Sequence, residues 1–227
     1  DWTVDKRTTE ETKAAYIQFN HSSYINDLPM NLQFGVRYEE TDITSAALAP
    51  TYDAVYWLGG NEFTMLEATD AEGNAIQAFD DYSGEYSIVL PSIDFDVEII
   101  ENLVLRASYS TTVTRPSFTD IQGGITVDGT SFKNTGGFAG GGNPGLVPIE
   151  SDNIDLSVEW YYGDASYVSV GYFEKDVANF IGSSTREGVT LFNLNWPLGG
   201  DLYNQAVADS GIDPLKYTEV GAYIFAN

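Results

Sequence analysis

The stretch that decides the fold is LVLRASYSTTVTRPSFTDI, residues 103–121. Apolar and polar side chains alternate along it with a period of two, which is typical of a β-strand that separates two different environments. Leu103, Leu105 and Ala107 share one face, while Arg106 and Ser108 lie on the opposite face. A charge in the middle of so regular a strand requires water or polar partners on its side of the sheet. The stretch therefore predicts a sheet with one apolar and one polar face.

Five further segments show the same alternation, which indicates an all-β chain. They are residues 15–20, 31–39, 82–100, 154–161 and 168–173. Within residues 82–100, Ile88 and Leu90 have one parity, whereas Ile93 and Phe95 have the other. We interpret this change as a β-bulge at Pro91, because a bulge tolerates a residue that lacks the N–H group.

The connections between these segments fall into two classes. Tight turns lie near Asp27, Asn102 and Gly163, whereas long connections cover about residues 45–81, 117–151 and 182 onward. Long strands with short turns at one end and long loops at the other are typical of outer-membrane β-barrels. We therefore expect the three turns to lie at the periplasmic rim. Loop residues such as those near Trp57 should lie together with the other loops at the extracellular end.

The long connections contain local signals of their own. Asp-Gly at 128–129, between ITV and TSF, predicts a hairpin tip, as does Glu-Gly-Asn at 72–74. The run DLYNQAVADSG, residues 201–211, predicts a short helix with Asp201 as its N-cap and Gly211 as its stop.

Composition excludes several classes of function. A formal charge of −24 and a sequence pI of about 4.1 argue against nucleic acid as a partner. Cysteine is absent and only one histidine is present, so thiolate metal sites and zinc sites built on several imidazoles are not expected. No stretch approaches the roughly 18 apolar residues that indicate a transmembrane helix.

In a barrel, the polar strand faces would line the lumen, and we predict that Arg37, Arg106, Asp155 and Glu159 do so. Asp94, Asp96 and Glu98 share a strand face and allow three interpretations. They could be a carboxylate pair for glycoside hydrolysis, a calcium site, or partners of the lumen arginines. The sequence has no calcium loop of the EF-hand type and no evident catalytic constellation, so we do not expect an enzyme.

Aromatic residues in the long loops are candidates for substrate binding, because sugar rings stack on aromatic faces. The candidates are Tyr52, Tyr56, Trp57, Phe132 and Trp196. The alternative is that these loops pack on themselves. The negative charge favours a neutral or cationic substrate over an anionic one. No cofactor is expected beyond Ca²⁺ bound loosely by acidic loops.

Four segments, in order, resemble the TonB-dependent receptors of Gram-negative outer membranes, especially the branch associated with carbohydrate uptake. They are GVRYEET (35–41), LPSIDFDVEIIENLVLRASYSTTVTRPSFTDI (90–121), GNPGLVPIESDNIDLSVEWYYGD (142–164) and YVSVGYFEKDVANFI (167–181). Leu90-Pro91-Ser92 and Arg115-Pro116 fit the family pattern. Val147-Pro148-Ile149 departs from its usual Lys-Pro-Glu, and Glu174 stands where a basic residue is commoner.

The resemblance implies an antiparallel transmembrane β-barrel of about 22 strands, with a plug domain that contacts the TonB complex and with outer-membrane lipid around it. Residues 1–227 provide about six to eight strands and three long extracellular loops, so we expect a partial barrel domain that lacks the plug and the barrel C-terminus. The implied function is active import of a substrate, which we expect to be a neutral oligosaccharide. The alternatives are a siderophore as cargo, a soluble acidic β-rich carbohydrate-binding module, or a secreted glycosidase.

Overall fold

A computed structural model describes residues 5–133 and 136–227, and one open antiparallel sheet dominates it. The sheet has six strands in the order β1-β2-β5-β6-β10-β11. Their bounds are β1 Lys6–Ile25, β2 Leu28–Pro50, β5 Gln77–Ile100, β6 Leu103–Thr114, β10 Ile149–Gly163 and β11 Ser166–Ala178. The six strands include all six segments with period-two alternation, so the all-β prediction is confirmed.

Three two-residue turns join these strands in pairs, and all three lie at one end of the sheet. They fall at residues 26–27, 101–102 and 164–165. Asn26, Asp27 and Asn102 have positive φ angles, which Asn and Asp tolerate better than most residues, so the chain can reverse within two residues. The predicted grouping of the short turns is confirmed, and we call this the turn end of the sheet.

Strand register separates the two faces as predicted. Ser108 pairs with Asp94 on one side and Asp155 on the other, in the row next to Arg106 and Asp96. We call this face, which also carries Arg37, the inner face. Leu105 pairs with Val97 and Val158 on the opposite, outer face. Arg37, Arg106, Asp155 and Glu159 thus share one face of the sheet, as the alternation predicted.

The bulge predicted at Pro91 is wrong. Pro91 pairs with Val36 in a register that runs unbroken between β2 and β5, and the irregularity lies instead between Glu98 and Ile100, opposite β6. Ile88 and Leu90 therefore point to the inner face, although Ile93 and its apolar neighbours point outward. The physical reason is that a segment of the chain covers the inner face around Ile88, so apolar residues are buried on that side too.

The long connections contain two small sheets and three helices. Strands β3 Tyr52–Gly59, β4 Glu62–Glu67 and β8 Ser131–Lys133 form one sheet, and β7 Thr126–Val127 pairs with β9 Ala139–Gly140. The hairpin predicted at 128–129 is wrong, because its two flanks pair with other strands rather than with each other. The turn predicted at 72–74 is confirmed, with Gly73 at positive φ and Thr69 bridged to Ala75.

Helix α1 spans Phe118–Ile121, α2 spans Asp201–Ser210 and α3 spans Tyr217–Ala226. The predicted helix α2 is confirmed, and Gly211 ends it in the left-handed conformation. Its N-cap is Gly200 rather than Asp201, which lies in the first turn, where its charge favours the helix dipole. Helix α3 was not predicted. Within residues 5–133 and 136–227, no helix is long and apolar enough to cross a membrane.

Candidate functional site

The centre of the long loops is a cluster of aromatic rings around Phe63, whose side chain is fully buried. The ring centroid of Phe63 lies 4.5 Å from that of Trp57 and 5.3 Å from that of Trp196. Phe132 stacks on Trp196 at 5.6 Å. Such centroid distances are typical of packed aromatic pairs. Three of the predicted binding residues, Trp57, Phe132 and Trp196, are therefore brought together at the loop end as expected, but in mutual contact.

The other two candidates lie outside this cluster. Tyr52 is buried and packs on Phe192, with 4.8 Å between ring centroids. Burial, with a smaller effect from the charge of Glu67, raises the pKa of the Tyr52 hydroxyl and keeps it neutral. Tyr56 is 53% exposed, on the face of β3 that points away from Phe63. Of the five candidates, Tyr56 has the largest exposed fraction, and Trp196 follows at 40%.

Helices α2 and α3 pack on the same cluster. Their own core consists of Tyr203, Ala206 and Val220, with Trp57 against its side. The Tyr203 hydroxyl donates a hydrogen bond of 2.8 Å to the carbonyl of Pro214, which closes the connection between the helices. Gly221 touches the turn between β3 and β4 so closely that any Cβ there would overlap the carbonyl of Gly60. The first and last long loops therefore form one packed body.

We call this body, residues 52–67, 131–133 and 191–226, the loop assembly. Its central residue, Phe63, was not among the predicted site residues. A weak signal was present in the sequence, because Phe63 and Met65 alternate with Glu62 and Thr64, whereas the preceding run AVYWL shows no alternation. The run is short and interrupted by two register shifts, so the period-two pattern is weak.

The lower part of the inner face carries a charged network around Arg106. Its Nε lies 3.3 Å from a carboxylate oxygen of Glu159, and one terminal nitrogen lies 3.9 Å from Asp96. Asn31 donates to Asp96 at 2.9 Å, and the Tyr161 hydroxyl donates to Glu159 at 2.7 Å. Of Asp94, Asp96 and Glu98, Asp96 pairs with Arg106, whereas Glu98 accepts a hydrogen bond from the backbone N–H of Asn102. For Asp96, the contacts support ion pairing with Arg106 rather than a catalytic or calcium-binding role.

Two predicted lumen residues lie outside the Arg106 network. Asp155 lines a shallow cavity of about 430 Å³ with Asp94, Ser108 and Phe173. Arg37 pairs with Glu39, 2.6 Å away, nearer the loop end of the sheet. Among residues 5–133 and 136–227, no group of three or more histidine and acidic side chains is placed to hold a metal ion.

The outer face of the sheet is apolar and exposed over its lower half. Phe19 stacks on Phe34, and the rows above and below continue across the strands. Exposed members include Ile17, Phe34, Val36, Ile93, Ile154, Leu156, Val158, Val168, Val170 and Tyr172. An apolar surface of this extent is far larger than isolated soluble proteins present to water, and it suits contact with lipid.

One loop turn is held by a carboxylate that is fully exposed. Asp70 accepts hydrogen bonds from the side chain and backbone N–H of Asn74 and from the backbone of Glu72. These donors, the Asn74 side chain first, lower the pKa of Asp70. Because this pKa is lowered, the charged carboxylate stabilises the turn at pH values above the ordinary aspartate pKa of about 4. The stabilisation is lost as the pH falls through the lowered pKa of the folded state.

We therefore expect Asp70→Ala to speed pepsin cleavage between Leu66 and Phe79 at pH 5, and the difference from the parent chain to vanish as the pH falls through the lowered pKa of Asp70. The measurement is the ratio of the two cleavage rates at each pH, which cancels the pH dependence of pepsin itself. A ratio that does not change with pH would show that the carboxylate charge does not hold the turn.

Comparison with known families gives a match over residues 3–210, to a model described as TonB dependent receptor-like, beta-barrel. Comparisons with curated proteins and with solved structures gave no match. The matched range contains every strand of the six-stranded sheet and most of the loop assembly. It agrees with the two-faced antiparallel sheet and with the apolar outer face. The family consists of outer-membrane transport receptors rather than enzymes. The chain belongs to this family, the TonB-dependent receptors, and the match covers its β-barrel domain.

Proposed function

We propose that these residues form one sector of an outer-membrane receptor that imports its cargo with energy from the TonB complex. The observation that carries the proposal is the division of the sheet into an apolar, exposed outer face and an inner face of paired charges such as Arg106 and Glu159. A wall of this kind separates lipid from a polar interior. The family match supports a role in transport.

The edges of the sheet support its being one sector of a wider barrel. Strands β1 and β11 each have one neighbour in the part of the chain that the structure describes. Unpaired backbone groups facing hydrocarbon cost several kcal/mol each, so membrane barrels close. We propose that further strands continue from both edges. A plug domain with complementary charges would then face the inner surface and provide the contact with the TonB complex.

For the cargo we propose a neutral oligosaccharide. Tyr56 presents an exposed ring at the loop end, and its hairpin also carries Asp53, Glu62 and Glu67, whose carboxylates can accept hydrogen bonds from sugar hydroxyls. The formal charge of −24 disfavours an anionic cargo such as many ferric siderophores. We also propose that Ca²⁺, loosely held, reduces repulsion among the loop acids.

The test is binding by the whole receptor in detergent, with maltohexaose, xylohexaose and cellohexaose as neutral probes and ferric enterobactin as the anionic probe. At least one neutral probe should bind, and high salt should change its affinity little because no net charge is paired. Tyr56→Ala should weaken that binding about tenfold, the loss of about 1.4 kcal/mol of ring contact. Tyr24→Ala is the matched control, since Tyr24 is 73% exposed but lies at the turn end.

Two results would overturn parts of this proposal separately. Tight binding of ferric enterobactin with no binding of any neutral probe would remove the oligosaccharide as cargo and leave the receptor assignment intact. Equal effects of the two tyrosine substitutions would remove Tyr56 from the binding surface. A receptor that stays soluble and monodisperse without detergent would contradict the membrane location itself.

A further inference from the structure

The connection between β6 and β10 turns inward after Pro116 and lies across the inner face of the sheet. Its two ends, residues 115–125 and 141–148, form what we call the strap. Ile121, at the end of α1, is 1% exposed and packs against Ile43, Tyr86 and Ile88 of the sheet, with Leu146 from the other end of the strap. The strap thus has an apolar anchor on the wall, in the region where Ile88 points inward.

Polar contacts hold the strap to the same wall. Arg115 lies 2.6 Å from Glu39 and 3.2 Å from Glu10, and the backbone N–H of Gly123 donates to the Ser45 hydroxyl at 2.8 Å. The Glu39 side chain is almost fully buried whereas the Arg115 side chain is 41% exposed, so water screens the pair from one side only. Arg37 is a second partner of Glu39, and the carboxylate therefore keeps one cation when Arg115 leaves.

The strap approaches the sheet backbone as well. Gly84 of β5 lies directly under Pro144, and any Cβ at position 84 would overlap the Pro144 carbonyl. The backbone N–H of Asn143 donates to the carbonyl of Asp120 at 2.6 Å, which ties the two ends of the strap to each other. The strap is therefore one unit, seated closely on β2 and β5.

The same connection also enters the loop assembly. Between the two ends of the strap lies β8, which pairs with β4 through Phe132 and Phe63. Phe132 stacks on Trp196, and Trp57 of the same cluster packs on the cores of α2 and α3. Packed contacts thus hold the strap on the sheet wall and β8 against the loop aromatics, and residues 126–130 of the same connection join the strap to β8.

We propose that the strap is a latch, and that the ion pair of Arg115 with Glu39 and Glu10 holds the loop assembly in place through the strap. Release of Arg115 frees the strap, and the strap carries β4 and the two helices with it. The latch goes beyond the import function proposed above and does not depend on the identity of the cargo. It predicts coupling between segments that are far apart in sequence.

The test is hydrogen–deuterium exchange of the full-length receptor in detergent, read by mass spectrometry. In Arg115→Met, peptides from residues 118–125, 60–67 and 217–226 should all exchange about tenfold faster than in the parent protein. The three segments open together in the latch, and the free energy of that opening is lower in the variant. Peptides from β10 and β11 near the turn end should not change. Arg106→Met is the matched control, because it removes an inner-face arginine paired with Glu159 but distant from the strap, and it should leave all three loop segments unchanged.

Several outcomes would overturn the latch. Faster exchange in residues 118–125 alone would show that the strap does not carry the loop assembly, and no change in any of the three would show that Arg115 does not fasten it. The same loop response in Arg106→Met would show a general loosening of the barrel. Where Arg115→Met does not fold, Glu39→Gln removes the charge at constant shape, and the same three-segment response is then required.

Discussion

Replacing Phe63 with alanine is expected to destabilise the loop assembly by about 3–5 kcal/mol, the range for removing a fully buried phenylalanine. Phe63 has no exposed surface and contacts Trp57, Trp196 and Phe132 at once. The cavity cannot close easily, because its walls belong to three separate loops, two of them fixed by the pairing of β3, β4 and β8. The loss should fall on the loops, since the aromatic partners of Phe63 all belong to them.

Denaturant unfolding of the whole receptor, followed by tryptophan fluorescence, measures this effect. Trp57 and Trp196 border the Phe63 ring, so the variant should show an early transition in emission that precedes the loss of β-sheet circular dichroism. Phe138→Ala is the matched control, because Phe138 is a loop phenylalanine that is 76% exposed, and its effect should stay within about 0.5 kcal/mol. Coincident transitions in both variants would contradict an aromatic core for the loops.

Replacing Leu105 with arginine is expected to destabilise the folded barrel by about 1–3 kcal/mol, because this side chain costs about 2–4 kcal/mol at the middle of a bilayer and less toward the turn end, where Leu105 lies. Leu105 lies in β6, an inner strand of the sheet, between Val97 and Val158 on the outer face. A guanidinium at this position would have apolar neighbours on both adjacent strands. It would have to reach the membrane interface or pull water into the hydrocarbon.

Urea unfolding of the whole receptor in lipid vesicles measures this change in the free energy of unfolding. Ser108→Arg introduces the same side chain three residues further along the same strand, but on the inner face, between Asp94 and Asp155. Because those carboxylates can pair with the new charge, Ser108→Arg should lower the free energy of unfolding only slightly. Equal costs for the two arginines would show that the outer and inner faces do not meet different solvents.

The sequence was a reliable guide where one physical rule governs the strand. Arg106 and Leu105 take opposite faces because successive side chains of a strand always do, and tight turns at Asn26 and Asn102 preserve that register. The rule failed at Pro91, where apolar residues on both sides of the strand looked like a change of register. Both faces are apolar there because the strap covers one of them, and periodicity carries no information about what covers a face.

The candidate site was predictable only in outline. The gathering of Trp57, Phe132 and Trp196 at one end follows from strand topology, which the alternation defines. Their contact with Phe63 depends on pairing between β4 and β8, which are nearly 70 residues apart. Helix α3 contains Gly221, although glycine is a poor helix former, because the helix packs so closely on Gly60 that no side chain fits at position 221.

The length of β2 determines where the membrane surface must lie. Its 23 residues, at about 3.4 Å each and a tilt of about 40°, rise about 60 Å, more than twice the apolar band of about 25 Å. The outer face is apolar from Leu28 to Tyr38 and then turns polar, with Glu40 and Asp42 beside Lys13 and Glu11 of β1. Eleven residues suffice to span the band. In a receptor placed in the membrane as proposed, the upper half of the wall would be a collar standing in water, which raises the loop assembly about 30 Å above the lipid.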